Sequence, residues 1–210
     1  TMNAADINTD GFPDLFVCND DGKNEIFLNN VSGAFTSNDD FIDFTTNPSS
    51  DMSGNYGSVW VDVNGDKYPD LAIAKCRAGV SSPADPRRIN TLFIRQPNGT
   101  YIDKAKEYNF DLGEQSWAVT FADYDNDGLK DLFVSNGLYK DLLDKDYLNF
   151  SANATMIKSK IDKNEKVLTM LVDSMPSKPI KNCVFRNKGA MKFDYISDEW
   201  GMDQETFSNG

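Results

Sequence analysis

The sequence predicts an all-β protein: a partial β-propeller of about three blades, each of four antiparallel strands, with a partly helical insertion in the third blade. Three observations point there. An aspartate-rich loop occurs three times at similar spacing, with 56 residues from Asp6 to Asp62 and 61 from Asp62 to Asp123. Each loop lies between two β-prone segments. Two further apolar segments and a glycine turn then complete each unit, and four short strands per period of this size suit a propeller blade.

The elements repeat in order. Met2 to Ala5, Ser58 to Val61 and Trp117 to Ala122 precede the loops, and Leu15 to Cys18, Leu71 to Ala74 and Leu132 to Val134 follow them. Third strands are expected at Asn24 to Leu28, Asn90 to Ile94 and Asn182 to Arg186. Fourth strands follow Gly33, Gly99 and Gly189. The repeats run over about 1–53, 54–113 and 114–200, and 205–210 reads as the start of a next blade. Trp60, Trp117 and Tyr56 lie in or beside first strands, where their expected role is packing between blades.

The loops carry the chemistry. Oxygen side chains stand at positions 1, 3, 5 and 9: Asp6, Asn8, Asp10 and Asp14; Asp62, Asn64, Asp66 and Asp70; Asp123, Asp125, Asp127 and Asp131. Position 7 is apolar or aromatic (Phe12, Tyr68, Leu129), and its carbonyl is free to add a backbone oxygen. A hard cation such as Ca²⁺ takes six to eight oxygens. Without one, converging carboxylates repel. An EF-hand would need a Glu at position 12 and a following helix. Position 12 here is Val17, Ile73 or Val134, inside a β-prone run. The expectation is two or three Ca²⁺ ions held between strands. A hydrated acidic turn is the alternative, and three copies in register favour metal.

Composition narrows the function classes. The 210 residues carry a net charge of −12, which disfavours a nucleic-acid partner. Ten of the acids lie in the three loops, so three divalent cations would halve that charge. There is no histidine, which removes Ser-His-Asp and Cys-His catalysis and His-ligated zinc. Cys18, Cys76 and Cys183 are expected as small buried hydrophobes rather than a disulfide and a free thiol. No segment approaches the roughly 20 apolar residues of a membrane span.

The units differ between strands 2 and 3. Residues 77–88 read as an irregular loop with Pro83 and Pro86. Residues 138–180 read as the helical insertion. Leu138, Leu142, Leu143, Tyr147, Leu148 and Phe150 suggest one amphipathic helix, and Met156 to Lys160 and Val167 to Val172 suggest further helical stretches ended by Pro176 and Pro179. Three blades do not close a ring of four to eight, so the remaining blades are expected in a longer chain, with closure by self-association as the alternative.

The stretch from Tyr56 to Ala74 resembles an FG-GAP repeat, the unit of the integrin α-subunit propeller. Asp123 to Val134 resembles the related VCBS-type repeats of bacterial surface and secreted proteins. With Val184 to Gly189 and Trp200-Gly201, the likeness extends to FG-GAP/VCBS proteins that often carry an ASPIC/UnbV-type domain further on. The resemblance implies a propeller, typically seven-bladed, with Ca²⁺ in the strand 1–2 loops and an extracytoplasmic setting. It implies as ligands the side chains at positions 1, 3, 5 and 9 and the carbonyls of Phe12, Tyr68 and Leu129. The second loop departs from the pattern: Lys67 replaces the position-6 glycine and Gly65 sits one place earlier. That loop needs either an awkward backbone conformation at Lys67 or a shifted turn.

Two functions are open at this point. One is a calcium-stabilised, non-catalytic module on the cell surface or secreted, binding a protein or glycan. The other is a calcium-dependent polysaccharide-active enzyme of lyase type. An enzyme would need a base or paired carboxylates in a cleft. Asp141, Asp144 and Asp146 answer to that in composition only, and a solvated helix face explains them better. Tyr139, Tyr147 and Phe150 fit either a sugar-stacking surface or a helix core.

Overall fold

A computed structural model describes residues 1–76, 82–112, 115–140, 147, 149, 151–153, 157–159, 166–190 and 192–208. Three four-stranded antiparallel sheets make up the architecture. The first holds β1 (Met2–Ala5), β2 (Asp14–Val17), β3 (Glu25–Asn29) and β4 (Phe35–Ser37). The second holds β5 (Asn55–Val61), β6 (Asp70–Lys75), β7 (Thr91–Arg95) and β8 (Tyr101–Asp103). The third begins with β9 (Ser116–Ala122) and β10 (Asp131–Asn136). After helix α1 (Val167–Asp173) and the short strand β11 (Ile180–Lys181), it continues with β12 (Cys183–Asn187) and β13 (Phe193–Tyr195). A last strand, β14 (Glu205–Thr206), pairs with β11.

Each sheet is an up-and-down meander in sequence order, as a blade requires. Third strands begin one residue later than the apolar pattern suggests. Asn24, Asn90 and Asn182 stand just ahead of them, and their side-chain oxygens accept the N–H groups of Asn19 (2.9 Å), Lys75 (2.8 Å) and Asn136 (2.9 Å). The asparagine thus fastens the end of strand 2 to the start of strand 3 in every blade.

Strand alternation decides which neighbour each side chain meets. On β6, Leu71 and Ile73 join a core with Phe16, Ile26, Ile42, Phe44 and Phe93, between the first and second blades. Ala72 and Ala74, on the other face, join Leu92, Phe110, Leu132, Val134 and Phe185 between the second and third. The middle blade is therefore buried on both faces, and Leu71 to Ala74 of β6 form a continuous apolar run. Trp60 packs edge-on to Phe16 and Tyr101 at 5.7 and 6.0 Å, and Tyr56 packs edge-on to Trp117 at 4.4 Å, as expected of residues between blades. First strands approach closely: a Cβ on Gly57 would lie 2.4 Å from the Trp117 carbonyl oxygen. Only glycine fits there.

Cys18, Cys76 and Cys183 are buried and form no disulfide among the described residues, which agrees with their reading as small hydrophobes. Residues 77–81 and most of the first expected insertion helix, 141–146, 148 and 150, lie outside the described residues. Tyr147 is buried, so a sugar-stacking role does not suit it, whereas Tyr139 is exposed beside Phe207. α1 ends at Asp173, three residues before Pro176. Among the described residues no helix is long and apolar enough to cross a membrane.

Candidate metal centre

The three aspartate loops share one backbone conformation. Position 4 has positive φ in each (Thr9 62°, Gly65 80°, Asn126 61°), and so does position 6 (Gly11 92°, Lys67 73°, Gly128 90°). The second loop is therefore not shifted. Lys67 adopts the left-handed conformation that glycine adopts in the other two, and the glycine has moved to the neighbouring left-handed position.

Side-chain oxygens hold this turn in the same way three times. Position 1 caps the loop: Asp6 accepts the N–H groups of Asp10 and Gly11, and Asp123 those of Asp127 and Gly128. Asp62 accepts from Gly65, Asp66 and Lys67. Position 3 accepts from position 5, through Asn8, Asn64 and Asp125. Position 5 accepts from position 7, whose residues are Phe12, Tyr68 and Leu129. Such Asx turns curl the chain and aim its carboxylates inward. Tyr68 carries a further contact, the Arg95 guanidinium 4.3 Å above its ring.

Position 9 has a second role that the spacing alone does not reveal. Asp14, Asp70 and Asp131 are fully buried at the start of β2, β6 and β10. One oxygen of each accepts a loop N–H, from Ile7 (2.8 Å), Val63 (3.0 Å) or Tyr124 (2.9 Å). The other accepts an N–H at the end of the third strand, from Asn29 (2.8 Å), Arg95 (2.9 Å) or Asn187 (2.9 Å). This carboxylate ties loop and sheet together before any ligand binds. Burial lifts the Asp70 carboxyl to about 6, against the pull of its bonds from Val63 and Arg95 and with help from Asp66 and Asp62. The signal in the sequence was the recurrence of Asp directly ahead of an apolar strand.

In the third loop, Asp123, Asp125 and Asp131 bring one oxygen each to within 4.8 Å of one another. Oxygens on one Ca²⁺ lie about 2.3–2.6 Å from it, so a pair sharing the ion is at most about 5 Å apart. The three carboxylates fit a single cation by that measure, and each oxygen retains a lone pair beyond its backbone bond. Asp127 is outside this group. In the first and second loops position 3 is an amide, and Asn8 and Asn64 instead donate to Asp10 (2.9 Å) and Asp66 (3.0 Å). The extra acid of the third loop has its own counter-charge, because Arg186 pairs with Asp125. Leu28 and Ile94 occupy the equivalent strand positions in the other blades, so each loop keeps a similar net negative charge. The catalytic candidates Asp141, Asp144 and Asp146 lie outside the described residues.

The sequence matches the family model described as FG-GAP-like repeat over residues 6–73 and 77–134, more than half of the chain. No curated protein matches it. Both matched segments start near or ahead of an aspartate loop and end in a second strand, so the matching units overlap the blades and their interfaces. With three four-stranded sheets and the same loop in each, the chain belongs to the FG-GAP-like repeat family.

Proposed function

We propose that the protein is a calcium-stabilised, non-catalytic propeller module that works outside the cytoplasm, secreted or on the cell surface, and binds a protein or glycan. The observation that carries this reading is the convergence of Asp123, Asp125 and Asp131 on a loop whose backbone recurs at Asp6–Asp14 and Asp62–Asp70. The ion would be held by positions 1, 3, 5 and 9 and the position-7 carbonyl, and it would supply positive charge to a turn that otherwise repels itself. Four side chains and a carbonyl leave little room for a substrate, which favours a structural ion over a catalytic one. The remaining blades, in a longer chain, would complete the ring.

The deciding experiment is a calcium titration of chelator-treated protein by calorimetry, followed by thermal melting. Two or three sites with a clear rise in melting temperature are expected. No binding at millimolar Ca²⁺ would reduce the loops to plain turns. A parallel screen on polysaccharides separates the two function classes, because release of unsaturated sugars would establish the lyase-type enzyme instead.

A further inference from the structure

A cavity of about 420 Å³ opens between the first and second blades, at the ends of the strands away from the aspartate loops. That volume is in the roughly 300–1,000 Å³ range of small-molecule sites. Among the described residues, two polar groups on its wall have no hydrogen-bond or ion-pair partner. Lys75 is only 2% exposed, and none of the hydrogen bonds or ion pairs among the described residues uses its ammonium. The Thr91 hydroxyl on the adjacent strand β7 is buried and makes no hydrogen bond. The two lie on the same face, because Ile73 pairs with Thr91 and alternation returns Lys75 to the side of Ile73.

A buried ammonium without an acceptor is unfavourable, and native structures rarely keep one without a use. None of the bonds of its acidic neighbours reaches the ammonium: Asp85 and Asp51 pair with Arg87, and Asp103 uses Oδ1 to accept the N–H groups of Leu92 and Ala105. Cys18 is also near, but burial pushes its thiol up to about 11, so it is neutral. The lining holds two ammonium groups, Lys75 and Lys106, against one carboxylate, Asp103, in a chain of net charge −12. A net positive cavity in so acidic a protein selects an anion. A single desolvated ammonium with hydroxyl and amide neighbours, Thr45, Thr46 and Asn47, matches a monoanion bearing hydroxyl groups. Phe44 and Phe93, which also line the space, offer a ring-sized apolar wall.

We propose that this cavity binds the carboxylate of an acidic monosaccharide, with Lys75 as its counter-ion and Thr91 donating to or accepting from the same sugar. The inference rests on the glycan arm of the proposed function and gives that module a site and a ligand class. The sugar is either free or the end of a glycan; the shared chemistry is the uronate carboxylate.

The test measures thermal melting and calorimetric binding of the calcium-loaded chain with glucuronate, galacturonate and glucose, and with a disaccharide ending in a uronate. Both uronates are expected to raise the melting temperature, and glucose is not. Lys75→Met and the near-isosteric Thr91→Val are each expected to weaken uronate binding about tenfold or more. Both should leave the calcium-induced rise intact, which shows that the variants fold. Tighter binding of the disaccharide assigns the site to glycan ends, and equal binding assigns it to the free acid. No uronate effect, an equal effect of glucose, or full binding by Lys75→Met would each overturn the proposal. Failure of the calcium response with uronate binding retained would sink the metal reading and leave the cavity standing. Turnover of bound sugar, followed by NMR, would overturn the non-catalytic module.

Discussion

The guanidinium of Arg186 on β12 pairs with the carboxylate of Asp125, the one acidic position 3 among the three loops. Blades with an amide at that position, Asn8 or Asn64, carry Leu28 or Ile94 where Arg186 stands. The cation is thus tied to the extra acid, and it competes with any metal for the same carboxylate. Arg186→Leu removes the competitor. It is expected to tighten calcium binding at the third loop about tenfold, equivalent to about 1.4 kcal/mol, with the gain largest at low salt. Stability in chelator should fall, since four carboxylates then repel without compensation. Site-resolved calcium titration checks this, and unchanged affinity would show that the pair does not compete.

Lys67 holds a left-handed conformation at φ 73°. A residue with a Cβ pays roughly 1–2 kcal/mol there relative to an ordinary conformation. Lys67→Gly is therefore expected to stabilise the chain by about 1 kcal/mol, seen as a higher denaturation midpoint. The added flexibility of the unfolded chain offsets part of the gain. A lower midpoint would mean that the lysine makes a compensating contact.

Position 9 and position 5 should behave differently when truncated. Asp14→Ala orphans the N–H groups of Ile7, Asn8 and Asn29. With about 1–3 kcal/mol for each buried group left unsatisfied, a loss of several kcal/mol is expected even in chelator. Asp127→Ala removes an exposed side chain that accepts one local N–H, from Leu129. It should weaken calcium binding and change the calcium-free stability by less than about 1 kcal/mol. Denaturation with and without calcium separates the two, and equal losses in chelator would refute the distinction.

Burial holds the Lys75 ammonium down to about 8, from an ordinary 10.5, although the carboxylates of Asp103, Asp51 and Asp85 act in the other direction. Below pH 8 both folded and unfolded chains carry the proton, and the burial penalty is present in full. Between about 8 and 10.5 the unfolded chain holds the proton and the folded chain releases it, so this group's contribution to stability rises with pH. Its full span is of the order of 3 kcal/mol. Lys75→Met should accordingly be more stable than the parent at pH 7.5, by a margin that shrinks toward pH 10. A constant margin would place the ammonium in contact with solvent or an anion.

The sequence by itself determined the blade repeat, the three loops, the strand order and the packing roles of Trp60, Trp117 and Tyr56. These depend on local rules: alternation along a strand, turn chemistry, and oxygen side chains at odd positions of a tight loop. It also flagged Lys67 as the awkward residue, though not which of two conformations resolves it. Only the tertiary structure showed that Asp14, Asp70 and Asp131 clasp the third strand, because their partners lie 15 to 56 residues away. The same holds for Arg186 beside Asp125, and for Lys75 and Thr91 facing one cavity. A lysine closing an apolar strand looks like an ordinary strand end until the neighbouring blade is in place. Burial of Lys75 and Thr91 is a property of the space between blades, and the carboxylate pairings join strands far apart in sequence, so no single local stretch encodes either.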